Sequence, residues 1–210
     1  MKSITLAILS LFLFSSAYAD EKTPSKNENK VLESSDAAPD FSLKGADGKM
    51  YSLKDLKGKV VVLEWFNNEC PYVEKHYGTQ NMQKLQEKYA KEGVTWLTIS
   101  STKSSNAMTA DEAKKIIKER SSQQTALLLD SDGTVARLYS AKTTPHMFII
   151  NKDGKVAYNG AIDDNTSFRK DTVAGAKNYV SDALDVLLGK SNKKVIEHAE
   201  TKPYGCSVKI

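Results

Sequence analysis

The chain is poor in cysteine and histidine: two and three, respectively, among 210 residues. Their spacing matches no metal-ligand pattern, so no metal is expected, and no organic cofactor is implied. A second cysteine is missing where thiol-exchange chemistry normally wants it, because the stretch after the first reads Cys70-Pro-Tyr-Val73 instead of C-x-x-C. There are no internal repeats. Thirty Lys and Arg against 26 Asp and Glu give a net charge of +4, interspersed without a basic block, so nucleic acid is not an implied partner. Asp130-Ser-Asp132-Gly and Ala161-Ile-Asp163-Asp164-Asn are turn compositions, and neither fits a twelve-residue calcium loop.

Long apolar runs are absent as well, with one exception at the start. Lys2, an apolar stretch from Ile4 to Phe14, and small residues at Ala17 and Ala19 form the three-part pattern of a secretory signal peptide cleaved after Ala19. That stretch is too short for a permanent membrane span, so no stable membrane insertion is expected. No cysteine follows the site, so a lipid anchor is not expected. A periplasmic or secreted protein results, with a charge of +3 once Lys2 is gone. Residues 20–37 are polar and read as a flexible leader. Residues 38–189 suffice for one well-buried domain, and 190–210 form a tail carrying Cys206.

Strand-like and helix-like segments alternate through the domain. A hairpin is predicted over 41–53, and Lys59 to Phe66 reads as a buried central strand. A helix follows from Pro71 to about Tyr89, kinked at Gly78, and then a strand over 94–100. Thr109-Ala-Asp-Glu112 is a capping box opening a helix through Ile117. After Ala126–Asp130 and a short helix near 135–139, two strands meet at Asp153-Gly154. A last amphipathic helix is predicted over roughly 172–188, stopped by Gly189. This order gives an α/β fold, a mixed sheet with helices on both faces.

Four stretches sharpen it. APDFSLKGADGKMYSLKDLKGKVVVLEWF, NECPYV, TTPHMFIINKDGKVAYNG and the ending TKPYGCSVKI together resemble the redoxin group of the thioredoxin-like superfamily, in the alkyl hydroperoxide reductase and thiol-specific antioxidant branch, with a peroxiredoxin-like label. The resemblance implies a thioredoxin-like fold with an N-terminal hairpin extension, a cis proline at Thr144-Pro145, and antioxidant or oxidoreductase chemistry. It does not carry the peroxidatic set. The peroxidatic cysteine position falls on Val73, its threonine on Cys70, its proline on Phe66 and its arginine on Pro145. Cys70 matches instead the first, attacking cysteine of thioredoxins.

Cys70 at a strand-to-helix junction, with Pro71 at the first helical position, would gain thiolate character from the helix terminus. Glu69 opposes this if it faces the sulfur. Glu64, a carboxylate inside an apolar strand, is expected either to be buried, holding a proton near neutrality as a proton carrier, or to turn to solvent. On the resemblance, the Thr144-Pro145 backbone would offer strand-like hydrogen bonds to an incoming peptide, with His146, Pro71 and Tyr72 lining the same surface. His76 reads as an ordinary surface or packing residue, and Trp65 and Phe66 as core.

Cys206 is open to two readings. It resolves a Cys70 sulfenate or mixed disulfide from the tail, or it staples the tail through a structural bond, which such a long loop would make worth up to ~5 kcal/mol. The first makes the protein a thiol oxidoreductase acting by thiol-disulfide exchange or weak peroxide reduction, with a partner protein or small thiol supplying electrons. The second makes it a non-enzymatic binding module on the same fold.

Overall fold

A computed structural model describes residues 33–102 and 106–210. The expected signal peptide and most of the expected leader lie outside the described residues. Among these residues, no helix is long and apolar enough to cross a membrane.

Among the described residues nine strands are present: β1 (Ser42–Gly45), β2 (Met50–Ser52), β3 (Val61–Trp65), β4 (Thr95–Ser101), β5 (Ala126–Asp130), β6 (Thr143–Thr144), β7 (His146–Ile150), β8 (Val156–Gly160) and β9 (Cys206–Ser207). Five helices accompany them: α1 (Pro71–Gly78), α2 (Asn81–Ala90), α3 (Ala110–Glu119), α4 (Thr134–Leu138) and α5 (Tyr179–Leu187). Seven strands form one sheet in the order β2-β1-β5-β4-β3-β7-β8, and β6 pairs separately with β9. β3, β4 and β5 are parallel, whereas β7, β8 and the β1–β2 hairpin add antiparallel edges. The expected mixed sheet and N-terminal hairpin are therefore both present.

β3 is central and buried along its whole length, so its alternating side chains feed two cores. Val62 and Phe66 join Trp96, Met147 and Ile149 under α1, α2 and α5, through Val73, Tyr77, Met82, Leu85 and Leu184. Val61, Leu63 and Trp65 join Phe148, Ile150 and the α4 residues Val135 and Ala136 on the opposite face. Glu64 shares its direction with Val62 and Phe66, toward α1 and α2.

Three boundaries differ from the sequence expectation. The helix over 71–89 is two helices, because Gln80 takes a left-handed conformation at φ 59° and Thr79 Oγ1 turns back onto the Lys75 carbonyl at 2.8 Å. The last helix begins at Tyr179, where Asn178 Oδ1 accepts the Ser181 amide at 2.8 Å, and only a 3-10 turn occupies 170–172. The chain also joins the fold before Ala38, since the Ser35 amide donates to the Val156 carbonyl at 2.8 Å.

The tail folds back along the domain. The Asn159 amide donates to the Ala199 carbonyl and the Thr201 amide to the Asn159 carbonyl, both at 3.0 Å, and Gly160 (φ 151°) lies so close to Thr201 that a Cβ there would meet its backbone oxygen at 2.5 Å. The tail then reaches β6, where Thr143 faces Ser207 and Thr144 faces Cys206.

The capping box at α3 is complete: Thr109 Oγ1 accepts the Glu112 amide at 3.2 Å while Glu112 accepts the Thr109 amide at 2.8 Å. Replacing Thr109 by Ala should lower unfolding free energy by about 1 kcal/mol. Urea denaturation with an unchanged slope would show it, and an unchanged midpoint would contradict it.

Candidate functional site

The chain leaves β3 at Trp65 and turns through Asn67–Glu69, with the Cys70 amide bonded to the Asn67 carbonyl at 3.1 Å. Cys70 is the N-cap of α1 and Pro71 the first helical residue, where a missing amide leaves no intrahelical bond unmade. Arg120, at the end of α3, holds this loop. Its Nε donates to Asn68 Oδ1 at 2.6 Å and its guanidinium to the Asn68 carbonyl and to Glu74 at 2.9 Å.

Two elements converge on Cys70. The Thr144–Pro145 bond is cis. It brings the Thr144 carbonyl to 3.0 Å from Cys70 Sγ. From the other side comes β9, which sets Cys206 Sγ 2.7 Å from Cys70 Sγ, across 136 residues of sequence. The two are unbonded thiols. Gly205 permits the approach: at φ 144° it lies against Thr144, whose carbonyl oxygen would sit 2.1 Å from any Cβ placed there.

The two sulfurs differ electrostatically. Burial alone would raise the Cys70 pKa, but hydrogen bonds from the Cys206 thiol, the Thr144 side chain and the Val73 and Cys206 amides outweigh it and bring it below the usual thiol value. Burial, reinforced by the neighbouring Cys70, pushes Cys206 up to about 11. Cys70 is the sulfur poised to ionise, and Cys206 the one that keeps its proton and donates to it. Glu69 does not oppose this: its exposed carboxylate turns to Lys209 Nζ, 3.8 Å away.

Glu64 is fully buried and turned toward α1 and α2, which removes the solvent-facing alternative. Tyr77 Oη donates to its Oε1 at 2.9 Å; Trp96 Nε1, Thr98 Oγ1 and Gln86 Nε2 donate to Oε2 at 2.8, 3.2 and 3.3 Å. Burial raises its pKa, the four donors pull back, and the balance lies at about 7. Tyr77 packs on Phe66 in the cluster that also contains Cys70.

The remaining candidates divide. Thr144 and Pro145 stand beside Cys70 but are buried beneath β9, so the surface expected to receive a peptide strand already holds the chain's own tail. Pro71 is exposed and Tyr72 half-buried, its ring 5.8 Å from that of Tyr204. His146 does not line this surface, contrary to expectation. Alternation along β7 turns it to the opposite face from Met147, where its ring rests 4.6 Å from Phe148. Its Nδ1 accepts the Lys142 amide at 3.1 Å and its Nε2 faces Asn159 Oδ1 at 2.8 Å, and burial lowers its pKa to about 4.

His76 is a packing residue, as expected, but in company the sequence did not announce. Lys75, His76, Asp163 and Tyr204 form a buried polar cluster one and a half turns along α1 from Cys70. A lysine between Glu74 and His76 on a short helix reads as solvent-facing, and only the full burial of the His76 and Tyr77 side of α1 makes it otherwise. The turn aspartates are engaged by protein donors: Asp130 accepts the Val135 and Ala136 amides at 3.1 and 2.9 Å, Asp132 the Thr134 amide at 2.9 Å, and Asp164 the Lys177 amide at 2.9 Å.

Known proteins resemble this chain along the same lines. Thiol-disulfide oxidoreductase ResA from Bacillus cereus is 30% identical over 133 residues, covering 62% of this chain and 70% of its own. The crystal structure of an uncharacterized conserved protein from Geobacillus kaustophilus superposes with a TM-score of 0.71 at 26% identity, covering 86% of this chain and 93% of that one. The thioredoxin domain of thiol-disulfide oxidoreductase BVU-2223 from Bacteroides vulgatus shares the fold, with a TM-score of 0.52 at 21% identity over 69% of this chain and 97% of that one. The fold is thioredoxin-like. The AhpC/TSA family model matches residues 35–159, from the segment before β1 through β3, Cys70 and the cis proline into β8, and the chain belongs to that family.

Proposed function

We propose that the protein is a thiol-disulfide oxidoreductase with a split cysteine pair, Cys70 attacking and Cys206 resolving. The carrying observation is the 2.7 Å approach of two unbonded sulfurs with opposite pKa shifts. The Cys70 thiolate attacks a partner disulfide, forming a mixed disulfide and releasing one partner thiolate, which takes up a proton. Cys206 then loses its proton and attacks the Cys70 sulfur, closing the Cys70–Cys206 bond and releasing the second partner thiol. Two thiols of this protein are oxidised and one partner disulfide is reduced; a partner dithiol or small thiol reverses the exchange.

The electrostatics order the steps. While Cys70 is a thiolate, its charge helps keep Cys206 protonated. Once Cys70 is in a mixed disulfide that charge is gone, and Cys206 ionises more readily when its attack is needed. Glu64 is the proton carrier of this reading: a carboxyl balanced near pH 7 holds or releases a proton with little bias at neutrality. Cys70 is only 1% exposed, so a partner reaches it when the end of the tail swings aside. Lys209 and Ile210 form one wall of an open groove of about 880 Å³ beside Asn67–Glu69, the side from which a partner would enter.

Thiol exchange is favoured over peroxide reduction because the peroxidatic position is the core residue Val73, 0% exposed. It is favoured over a structural staple because the two sulfurs stand unbonded, with Cys206 held by the backbone pairing of β9 and by the Val208 amide on the Lys142 carbonyl at 3.1 Å. The Lys2-to-Ala19 signal pattern supports placing the reaction outside the cytoplasm, where thiols cycle against oxidants.

Cys70→Ser should abolish turnover with a disulfide substrate such as insulin; retained turnover would overturn the assignment. Cys206→Ala should leave the first attack intact, cut turnover at least tenfold, and let a Cys70 mixed disulfide accumulate in mass spectra. A large fall in Tm with unchanged turnover would mark a staple instead.

Glu64 gives a pH signature. Its pKa stands at about 7 in the folded protein against an ordinary glutamate value of 4.5. Between those values the unfolded chain releases a proton that the folded protein keeps, so the wild type loses stability as pH rises through this window. Glu64→Gln removes that loss, and its stability relative to wild type should improve by roughly 3 kcal/mol across the window. Denaturation curves that stay parallel in pH would contradict a protonated Glu64.

A further inference from the structure

The cluster of Lys75, His76, Asp163 and Tyr204 plays no part in the exchange steps, yet it buries a lysine, a carboxylate and a histidine at 0%, 2% and 0% exposure. Burying such groups is unfavourable unless each finds partners. Here the tail supplies the central one. Tyr204 Oη donates to Asp163 Oδ1, lies 3.1 Å from His76 Nε2, and is 3.4 Å from Lys75 Nζ. One donation and two acceptances fill a phenol's hydrogen-bonding capacity. The assignment is consistent throughout: His76 Nδ1 faces the Asn81 side-chain amide at 2.9 Å and accepts from it, leaving Nε2–H to donate to Tyr204. Lys75 Nζ is otherwise held by the Asn165 carbonyl at 2.7 Å and by Asp163 at 3.5 Å. The Tyr204 ring adds a contact of 5.3 Å with the lysine and 5.8 Å with the Tyr72 ring.

The socket and the sulfurs are in step. Lys75 lies five residues along α1 from Cys70, a rise of about 7.5 Å. Tyr204 lies two residues from Cys206, about 7 Å of extended chain. An anchor at Tyr204 therefore brings Cys206 level with the N-terminus of α1. Gly205, between them, is the residue whose missing side chain lets the strand close onto Thr144.

We infer that Tyr204, seated in the Lys75–His76–Asp163 socket, is the positioning residue that keeps Cys206 in reach of Cys70 while residues 205–210 swing to admit a partner. This rests on the reading of Cys206 as the resolving thiol. The anchor converts resolution into a short-range intramolecular step: with Tyr204 fixed, Cys206 pivots at Gly205 and returns to one place, whereas without it the nearest upstream fixtures are the 199–201 pairing with β8 and the packing of Ile196 and His198. The socket also holds α1 and the 163–165 loop together, so the helix that presents Cys70 and the tail that presents Cys206 share one buried fixture.

The test compares wild type, Tyr204→Phe and Tyr204→Ala in glutathione buffers, reading the thiol-disulfide equilibrium constant of Cys70 with Cys206 and the lifetime of the Cys70–glutathione mixed disulfide. Phe keeps the ring in the socket and loses the hydroxyl, so it serves where Ala fails to fold. The expected result is an equilibrium constant at least tenfold lower in Ala, a smaller fall in Phe, and a mixed disulfide that persists correspondingly longer. Alkylation of Cys70 by iodoacetamide in a Cys206→Ala background should be slower with Tyr204 present than with Ala, since the anchored tail covers the sulfur. Variants that lower Tm yet leave the equilibrium constant and the lifetime at wild-type values would reduce Tyr204 to a stabilising contact and overturn the inference alone. A wild-type chain that forms no Cys70–Cys206 bond overturns the underlying reading and the inference with it.

Discussion

The pairing of Cys206–Ser207 with Thr143–Thr144, beside the cis proline, puts a second sulfur 2.7 Å from Cys70. The rest of the site is arranged around that contact. Gly205 is needed because the strands approach too closely for a side chain. Val73 is a core residue, and the second sulfur near Cys70 comes from the tail. A C-x-x-C pair shares one helix turn; here the two sulfurs are joined through the fold, so their relative position depends on how the tail is held.

Burial has different consequences for the ionisable groups around this contact. It raises Glu64 to about 7 in spite of four donors, and it lowers His76 and His146 to about 3 and about 4, so both imidazoles are neutral. At Cys70 hydrogen bonds outweigh it, and at Cys206 it dominates. The outcome is a site with one sulfur shifted toward ionisation, one shifted away from it, and one carboxyl near its midpoint at neutrality.

Much of this was legible in the sequence where one local signal sufficed. The Thr109–Glu112 capping box, the apolar β3 and the Cys70-Pro71 junction are written in neighbouring residues, and Glu64 stood out because a carboxylate in such a run needs a reason. The direction in which Glu64 points was not readable, since a one-residue change of register reverses it. The same alternation sent His146 to the far face. The break at Gln80 and the cap at Asn178 escaped because a left-handed residue and a late N-cap leave a helical apolar pattern nearly unchanged. Lys75 and Tyr204 were invisible as a pair: their contact joins positions 129 apart, and a lone lysine on a helix carries no mark of burial. The tail's proline and glycine signalled an end to helix, but not that Tyr204 would lock into α1.

The most direct test is a redox titration of the protein in buffers of stepped potential, with thiols trapped and located by mass spectrometry. A Cys70–Cys206 disulfide that opens and closes reversibly between roughly −120 and −270 mV, the range of catalytic dithiols, is what the split pair predicts. A bond that stays closed below about −300 mV, or two cysteines that never join, would contradict it.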